Sequence, residues 1–356
     1  MRTPFLTVAA AVLVAGGASI DPAAAKVKIG KPVQYAGETT IAQAGTLVQP
    51  AGKGYFSTIK RVVIPYFQLE VQSKGGKSES SKAFMSSMRN NASISYKIVG
   101  LQPEALQALT DRLYTATVAG FRARGIDVLD RAAARARSPN YAKLEASLQA
   151  GPREFKPEGG GRSVIYGPSG LGTYYNGIEN ADVTGGMGMF GGFAAMAKGF
   201  SGMGAAMAEA MAPTELDAAL VGIRLKIVFV ETKSWKSNGW VEVSGKTAVS
   251  VMPLDTQLWV MGPKSQAKAN GREQFQLTAA IVPPVNPILS TEDTTSTGKK
   301  VDTMLGNLIG GLSGTSSYEV KDFTVTIDPA QFDATMNDTL AGMQMMLINR
   351  LIGAAR

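Results

Sequence analysis

Ser169 lies between glycines in "YGPSGLG", a setting that exposes a hydroxyl on a tight turn. The spacing is not the G-x-S-x-G of a nucleophile elbow, and such a serine needs an adjacent base. The chain has no histidine and no cysteine. A Ser-His-Asp triad, a thiol nucleophile, a zinc site built on imidazole or thiolate and a histidine-ligated haem are therefore excluded. Carboxylate pairs, a serine–lysine arrangement and oxygen-ligated metals remain. The acidic residues occur singly, and "TED" (Thr291 to Asp293) lacks the ligand spacing of a calcium loop. "GMGMFG" (Gly186 to Gly191) satisfies G-x-G-x-x-G. The preceding "ENADVT" is not the buried apolar strand that a dinucleotide loop requires. The sequence assigns no catalytic residue, no cofactor and no metal, and it points away from an enzyme.

Binding chemistry is better represented. Phe193, Met196, Phe200, Met203, Met207 and Met211 recur at spacings of 3, 4, 3, 4 and 4 within a segment of Gly, Ala and Met, 183–213. They form one apolar stripe on a helix whose other face is small rather than charged. Gly185 to Gly192 reads as a hinge, since each glycine costs a helix roughly 1 kcal/mol against alanine. Methionine gives adaptable apolar contact and small residues allow close approach. Three outcomes stay open for the stripe: packing on the protein's own sheet, contact with membrane or a second subunit, or no fixed structure. Arg131, Arg135 and Arg137 form a local positive patch, either a solvated helix face or a contact for phosphate or lipid. The formal net charge is +8, which suits anionic lipid, acidic polysaccharide or nucleic acid, but the charges are scattered and no nucleic-acid module is recognisable.

The elements that must position these residues can be read from periodicity. "STIKRVVIPYFQLEVQ" and "SISYKIVG" read as strands, with a Ser/Lys/Gly-rich mobile loop at 73–91 between them. Pro103 opens a helix with Leu106, Leu109, Leu113, Thr117 and Phe121 on one face and Gly125 as its stop, followed by the strand "IDVLD". A basic helical stretch is broken at Ser138-Pro139. Tyr166, Tyr174 and Tyr175 in the next Gly/Pro-rich stretch either stack on a ligand or cover the core. "GIRLKIVFVET", "GWVEVSGKTAVSVM", "TQLWVM", "REQFQLTAAIV" and "SYEVKDFTVTID" read as strands, with 283–300 as an exposed loop. Asp328 and Pro329 begin a final helix striped by Phe332, Met336, Leu340, Met343, Leu347 and Leu351.

The N-terminus reads as a secretory signal peptide. Arg2 supplies the positive charge, Phe5 to Ala15 a short apolar run, and Ala23-Ala24-Ala25 a cleavage pattern, which places the mature start near Lys26. Export without cysteine fits a bacterial periplasm or cell surface.

Val62-Val63-Ile64-Pro65-Tyr66-Phe67, Asp127-Val128-Leu129-Asp130-Arg131 and the strand from Leu225 to Thr232 together resemble the periplasmic α/β domain of the curli-secretion CsgG/TolB-N-terminal type. The resemblance implies an outer-membrane-associated ring former in which apolar segments contribute membrane-crossing hairpins. The curli channel is a lipoprotein, whereas this chain has no cysteine to acylate.

The expected fold is α+β: a mixed, largely antiparallel sheet packed by at least two amphipathic helices, with a Gly/Met/Ala-rich apolar segment. The expected order is a signal peptide (1–25), an extended arm (26–57), an α/β subdomain (58–182), the apolar segment (183–213) and a β-rich subdomain with a C-terminal helix (214–356). The expected function is that of an exported, non-enzymatic envelope protein of outer-membrane or cell-surface assembly or export. Its expected partners are envelope proteins, further copies of itself or a lipid surface, and not nucleic acid. The alternative is a periplasmic binding module for an apolar or lipidic ligand.

Overall fold

The computed structural model describes residues 29–50, 59–82, 89–155, 161–173, 204, 207–237, 240–263, 272–295, 300–302, 307–311 and 318–354. The chain begins with β1 (Val33–Gln34), α1 (Glu38–Ile41), α2 (Ala44–Leu47) and β2 (Val48–Pro50), and then forms the long pair β3 (Arg61–Lys82) and β4 (Arg89–Val99). α3 (Pro103–Arg122), β5 (Asp127–Val128), α4 (Arg131–Arg137), α5 (Pro139–Ala146), β6 (Arg153–Phe155) and β7 (Arg162–Tyr166) follow. A helix over 207–216, α6, leads into β8 (Ala219–Ser237), β9 (Trp240–Val251), β10 (Gln257–Met261), β11 (Arg272–Leu277) and β12 (Ile281–Val282). β13 (Ile288–Asp293), β14 (Lys300–Asp302), β15 (Asn307–Gly311), β16 (Tyr318–Ile327) and α7 (Pro329–Ala354) complete it.

Among the described residues this is a mixed α+β fold built on one sheet of 16 strands, with the main order β1-β12-β9-β8-β3-β4-β16-β13-β14. β3 and β8 are parallel neighbours, so strands from both expected subdomains share the sheet. β16 runs parallel to β4, while β3–β4 and β8–β9 are antiparallel. Pro65 cannot donate to a ladder, and the β3–β8 register shifts between Val63 and Tyr66, where it sits. The sheet curls, and the Ser234 hydroxyl on β8 donates to Glu79 Oε1 on β3 at 2.9 Å.

Alternation along β3 separates two cores. Val62, Ile64, Phe67, Leu69 and Val71 join α3 and α7 in the larger one. α3 contributes Leu106, Leu109, Leu113 and Phe121, and all six residues of the α7 stripe are buried there. Asp328 Oδ1 caps α7 by accepting from the backbone N–H groups of Ala330 (3.0 Å) and Gln331 (3.1 Å). Gly125 takes φ +76°, the left-handed conformation that ends α3 cheaply only for glycine. Val63, Tyr66, Leu220 and Trp259 face the opposite way, onto α4, α5 and α6. Trp259 crosses directly over Gly222, where an added Cβ would lie 2.1 Å from the indole ring.

Three local expectations are corrected. Residues 73–91 were expected as a mobile loop, but β3 continues to Lys82 and β4 begins at Arg89, paired from Lys74↔Lys97 to Lys82↔Arg89. Residues 283–300 were expected as an exposed loop, yet Ile288–Asp293 is a strand between β16 and β14. In both places the backbone ladder to a neighbouring strand overrides a sequence poor in β-formers. The expected extended arm is, over 29–50, two helical turns and two short strands, with Ala44, Leu47 and Val48 in the larger core. Of the Gly/Met/Ala-rich segment, 183–203 and 205–206 lie outside the described residues.

Candidate functional site

α6 carries the last two residues of the methionine stripe. Ala208 (1% exposed) and Ala212 (0%) bury its inner face together with Leu216, while Met207 (64%) and Met211 (41%) face outward. The methionines therefore do not pack into the protein's own core; alanine does, and its small size brings α6 close to α4 and α5. Phe193, Met196, Phe200 and Met203 lie outside the described residues. α6 is tied down near its end by Glu215. Its Oε2 accepts from the Ser138 hydroxyl at 2.5 Å and from Asn140 N at 3.3 Å, and its other oxygen accepts from the Asn140 amide. Ser138 in turn caps α5, its Oγ accepting from Tyr141 N at 2.9 Å. The helix break read at Ser138-Pro139 is thus also an anchor for α6.

The arginine patch divides. Arg131 and Arg135 line a groove of about 480 Å³ with Tyr114, Val118 and Arg122 of α3 and Asp130. Arg137 is exposed and does not line it. Glu145 of α5 bridges the first two, accepting from Arg131 Nε at 2.7 Å and lying 3.1 Å from Arg135 Nη1. Arg131 Nη1 also donates to the Gly170 carbonyl at 2.7 Å, at the groove's rim. Burial pushes the Tyr114 hydroxyl pKa up against the pull of Arg131, and Asp130 and Glu145 push it the same way as burial.

Ser169 stands beside this groove, in contact with a carboxylate rather than a lysine. Its N–H donates to Asp111 Oδ1 at 2.6 Å and its hydroxyl to Asp111 Oδ2 at 2.7 Å. Gln107 Nε2 donates to the Gly167 carbonyl at 2.8 Å. The loop is clasped to α3, and both Ser169 donors are consumed in the clasp. Tyr166 is buried in the larger core, which is the covering role, and Tyr174 and Tyr175 lie outside the described residues. "TED" ends β13, where Asp293 Oδ1 accepts from Thr295 N at 2.9 Å and from the Thr295 hydroxyl at 2.5 Å. No cluster of three or more metal-ligating side chains occurs among the described residues.

Sequence reasoning passed over Tyr114 and Arg122. With Gln107, Asp111 and Val118 they form a second stripe on α3 at spacings of 4, 3, 4 and 4, flanking the core stripe. That stripe holds the Ser169 loop at one end and walls the groove at the other.

A buried charge cluster lies on the side of the sheet that faces away from α3 and α7. Glu70 of β3 is fully buried; it accepts from Arg224 Nε at 3.0 Å and lies 3.3 Å from Lys226 Nζ. Lys226 Nζ also donates to Asp255 Oδ2 at 3.1 Å. These contacts join β3, β8 and the turn before β10, a positional role rather than a reactive one.

No helix among the described residues is long and apolar enough to cross a membrane, which leaves strand-built crossings untouched. Comparison with known protein families, with curated proteins and with solved structures finds no match to this chain.

Proposed function

We propose that this chain is an exported, non-enzymatic envelope protein that acts in outer-membrane or cell-surface assembly or export through apolar contacts with protein or lipid. The observation that carries the reading is the orientation of α6. A helix serving only the core would turn its methionines inward, but α6 buries Ala208, Ala212 and Leu216 and presents Met207 and Met211 to solvent. Single exposed apolar residues are ordinary, whereas these two continue a stripe of six at helical spacing. Covering a methionine side chain is worth about 1.5–3 kcal/mol, so a face of this kind favours a partner. The long β3–β4 hairpin is a poor candidate for lipid-facing strands. Lys74 lies on one face of its ladder and Lys77 and Glu79 on the other, and in the β8–β9 hairpin Glu231 and Lys233 place charge along one face.

The test compares the mature chain with its Met207→Ser/Met211→Ser variant by liposome flotation and by size-exclusion chromatography in mild detergent. The unaltered chain should float with vesicles or elute as a large oligomer, and the variant should shift toward free monomer. A parent chain that stays monomeric and ignores liposomes sinks the reading. Lipid carried through purification and released by organic extraction, without oligomers or flotation, would move the role to ligand carriage.

A further inference from the structure

The groove between α3 and α4 is lined by none of the residues of the methionine face. Its walls come from two helices: Tyr114, Val118 and Arg122 on α3, and Arg131 and Arg135 on α4. Its floor is apolar, formed by Val118, Val128 and Leu129. A volume of about 480 Å³ is within the range of small-molecule sites, which combine apolar lining with a few directed polar groups.

The charges do not cancel. Three guanidinium groups meet two carboxylates, and both carboxylates are already engaged. Asp130 Oδ1 accepts from Ala132 N (2.7 Å) and Ala133 N (3.3 Å), and Glu145 holds Arg131 and Arg135. Arg122 is left over: it has no hydrogen bond or ion pair among the described residues. Two turns away on the same helix, the Tyr114 hydroxyl makes no hydrogen bond among the described residues either, its ring being held edge-on against Phe67 at 5.8 Å. A free guanidinium and a free hydroxyl donor thus line one groove over an apolar floor.

We propose that this groove binds a phosphate monoester, with the phosphate between Arg122 and the Tyr114 hydroxyl and the carbon body over Val118, Val128 and Leu129. A phosphate presents three terminal oxygens, enough for a guanidinium and a hydroxyl two turns apart on α3, whereas a carboxylate is satisfied by one guanidinium fork. The rim is pre-formed, since Asp111 clasps Ser169 and Arg131 holds Gly170. Ligand binding therefore orders little that is not already ordered. A soluble sugar or glycerol phosphate and a lipid headgroup share this chemistry.

The test uses the full mature chain. Calorimetry with sn-glycerol 3-phosphate addresses the soluble source. Sedimentation with phosphatidylcholine vesicles, with and without phosphatidic acid, addresses the headgroup source. Binding in either phosphate-bearing arm should weaken roughly tenfold in Arg122→Gln, the scale of one hydrogen bond to a charged group. Arg137→Gln, an exposed arginine outside the groove, should leave it unchanged. Both changes are at the surface, and matching melting curves would confirm intact folds. Two results would overturn the proposal: no phosphate-dependent binding that Arg122→Gln removes, or an equal loss in Arg137→Gln, which would mark diffuse attraction to a basic surface.

Discussion

The two faces of the sheet meet their helices in different ways. On one, Phe67, Leu69, Ile223 and Leu225 pack against the long stripes of α3 and α7. On the other, Val63, Tyr66, Leu220 and Trp259 meet three short helices, and the same strands then carry Gln68, Glu70, Arg224 and Lys226. The first face obtains its stability from area, because two helices of 20 and 26 residues each bury a continuous apolar side. The second has too little apolar surface for that and relies on directed contacts: Glu70 between two cations and Glu215 on Ser138. Directed contacts fix position without requiring tight packing. The outward methionines are on an element of this second kind, and the groove lies where the two kinds meet, between α3 and α4.

The largest effect expected from breaking the contrast is on the first face. Phe121→Ala removes a fully buried ring at the end of α3 and should destabilise the chain by about 4 kcal/mol in urea unfolding, through lost transfer energy and the cavity left behind. No second substitution nearby should restore it, because the loss is one of area. A change below about 1 kcal/mol would mean that the α3 face is not the dominant core.

The second face should answer differently. Glu70→Ala leaves Arg224 and Lys226 in a buried setting without their shared carboxylate, and should cost about 3 kcal/mol. The triple change Glu70→Met/Arg224→Leu/Lys226→Met removes the charges together, and should recover most of that loss, since apolar replacement of a buried ion cluster is often neutral or stabilising. Urea midpoints of the three proteins check this. If the triple variant is less stable than Glu70→Ala, the cluster contributes net stability and the contrast between faces is weaker than drawn.

The same contrast explains what was legible in the sequence. α3 and α7 could be read because area-driven packing leaves a periodic signature: Leu106 to Phe121 and Phe332 to Leu351 announce their faces. The core strands were legible for the same reason. The outer part of the β3–β4 hairpin, within 73–91, was not, because Gly75, Gly76, Ser78 and Ser80 carry no strand signal of their own. Their pairing is supplied by a partner strand, and β13 likewise depends on β16. The groove was half visible. Arg131 and Arg135 stood out as a cluster, but Tyr114 and Arg122 belong to a flanking stripe that matters only once α4 is folded beside it. The outward turn of α6 was not legible, because a stripe of methionine beside a stripe of alanine shows two faces without saying which is inside.

The smallest effect concerns the anchor of α6. Hydrogen bonding from Ser138, and secondarily from Asn140, holds the Glu215 carboxyl below the ordinary value of 4.5, with burial opposing. A depressed folded value means that the unfolded chain takes up its proton first as pH falls. The anchor's contribution is therefore complete above about pH 4.5 and is lost as pH drops through the lower folded value. Glu215 is exposed, so solvent screening keeps the effect small. Glu215→Gln should melt slightly below the parent chain at neutral pH, and the gap should narrow steadily below pH 4.5. An offset that stays constant through the acid range would show that the carboxylate charge is not what Ser138 recognises. Because Glu215 joins α6 to the α4–α5 corner, the variant should also lose more liposome or oligomer contact than Glu70→Ala, whose larger stability loss lies elsewhere in the fold. That inversion, a weaker stability effect with a stronger effect on contact, separates anchoring of the methionine face from general loosening of the protein.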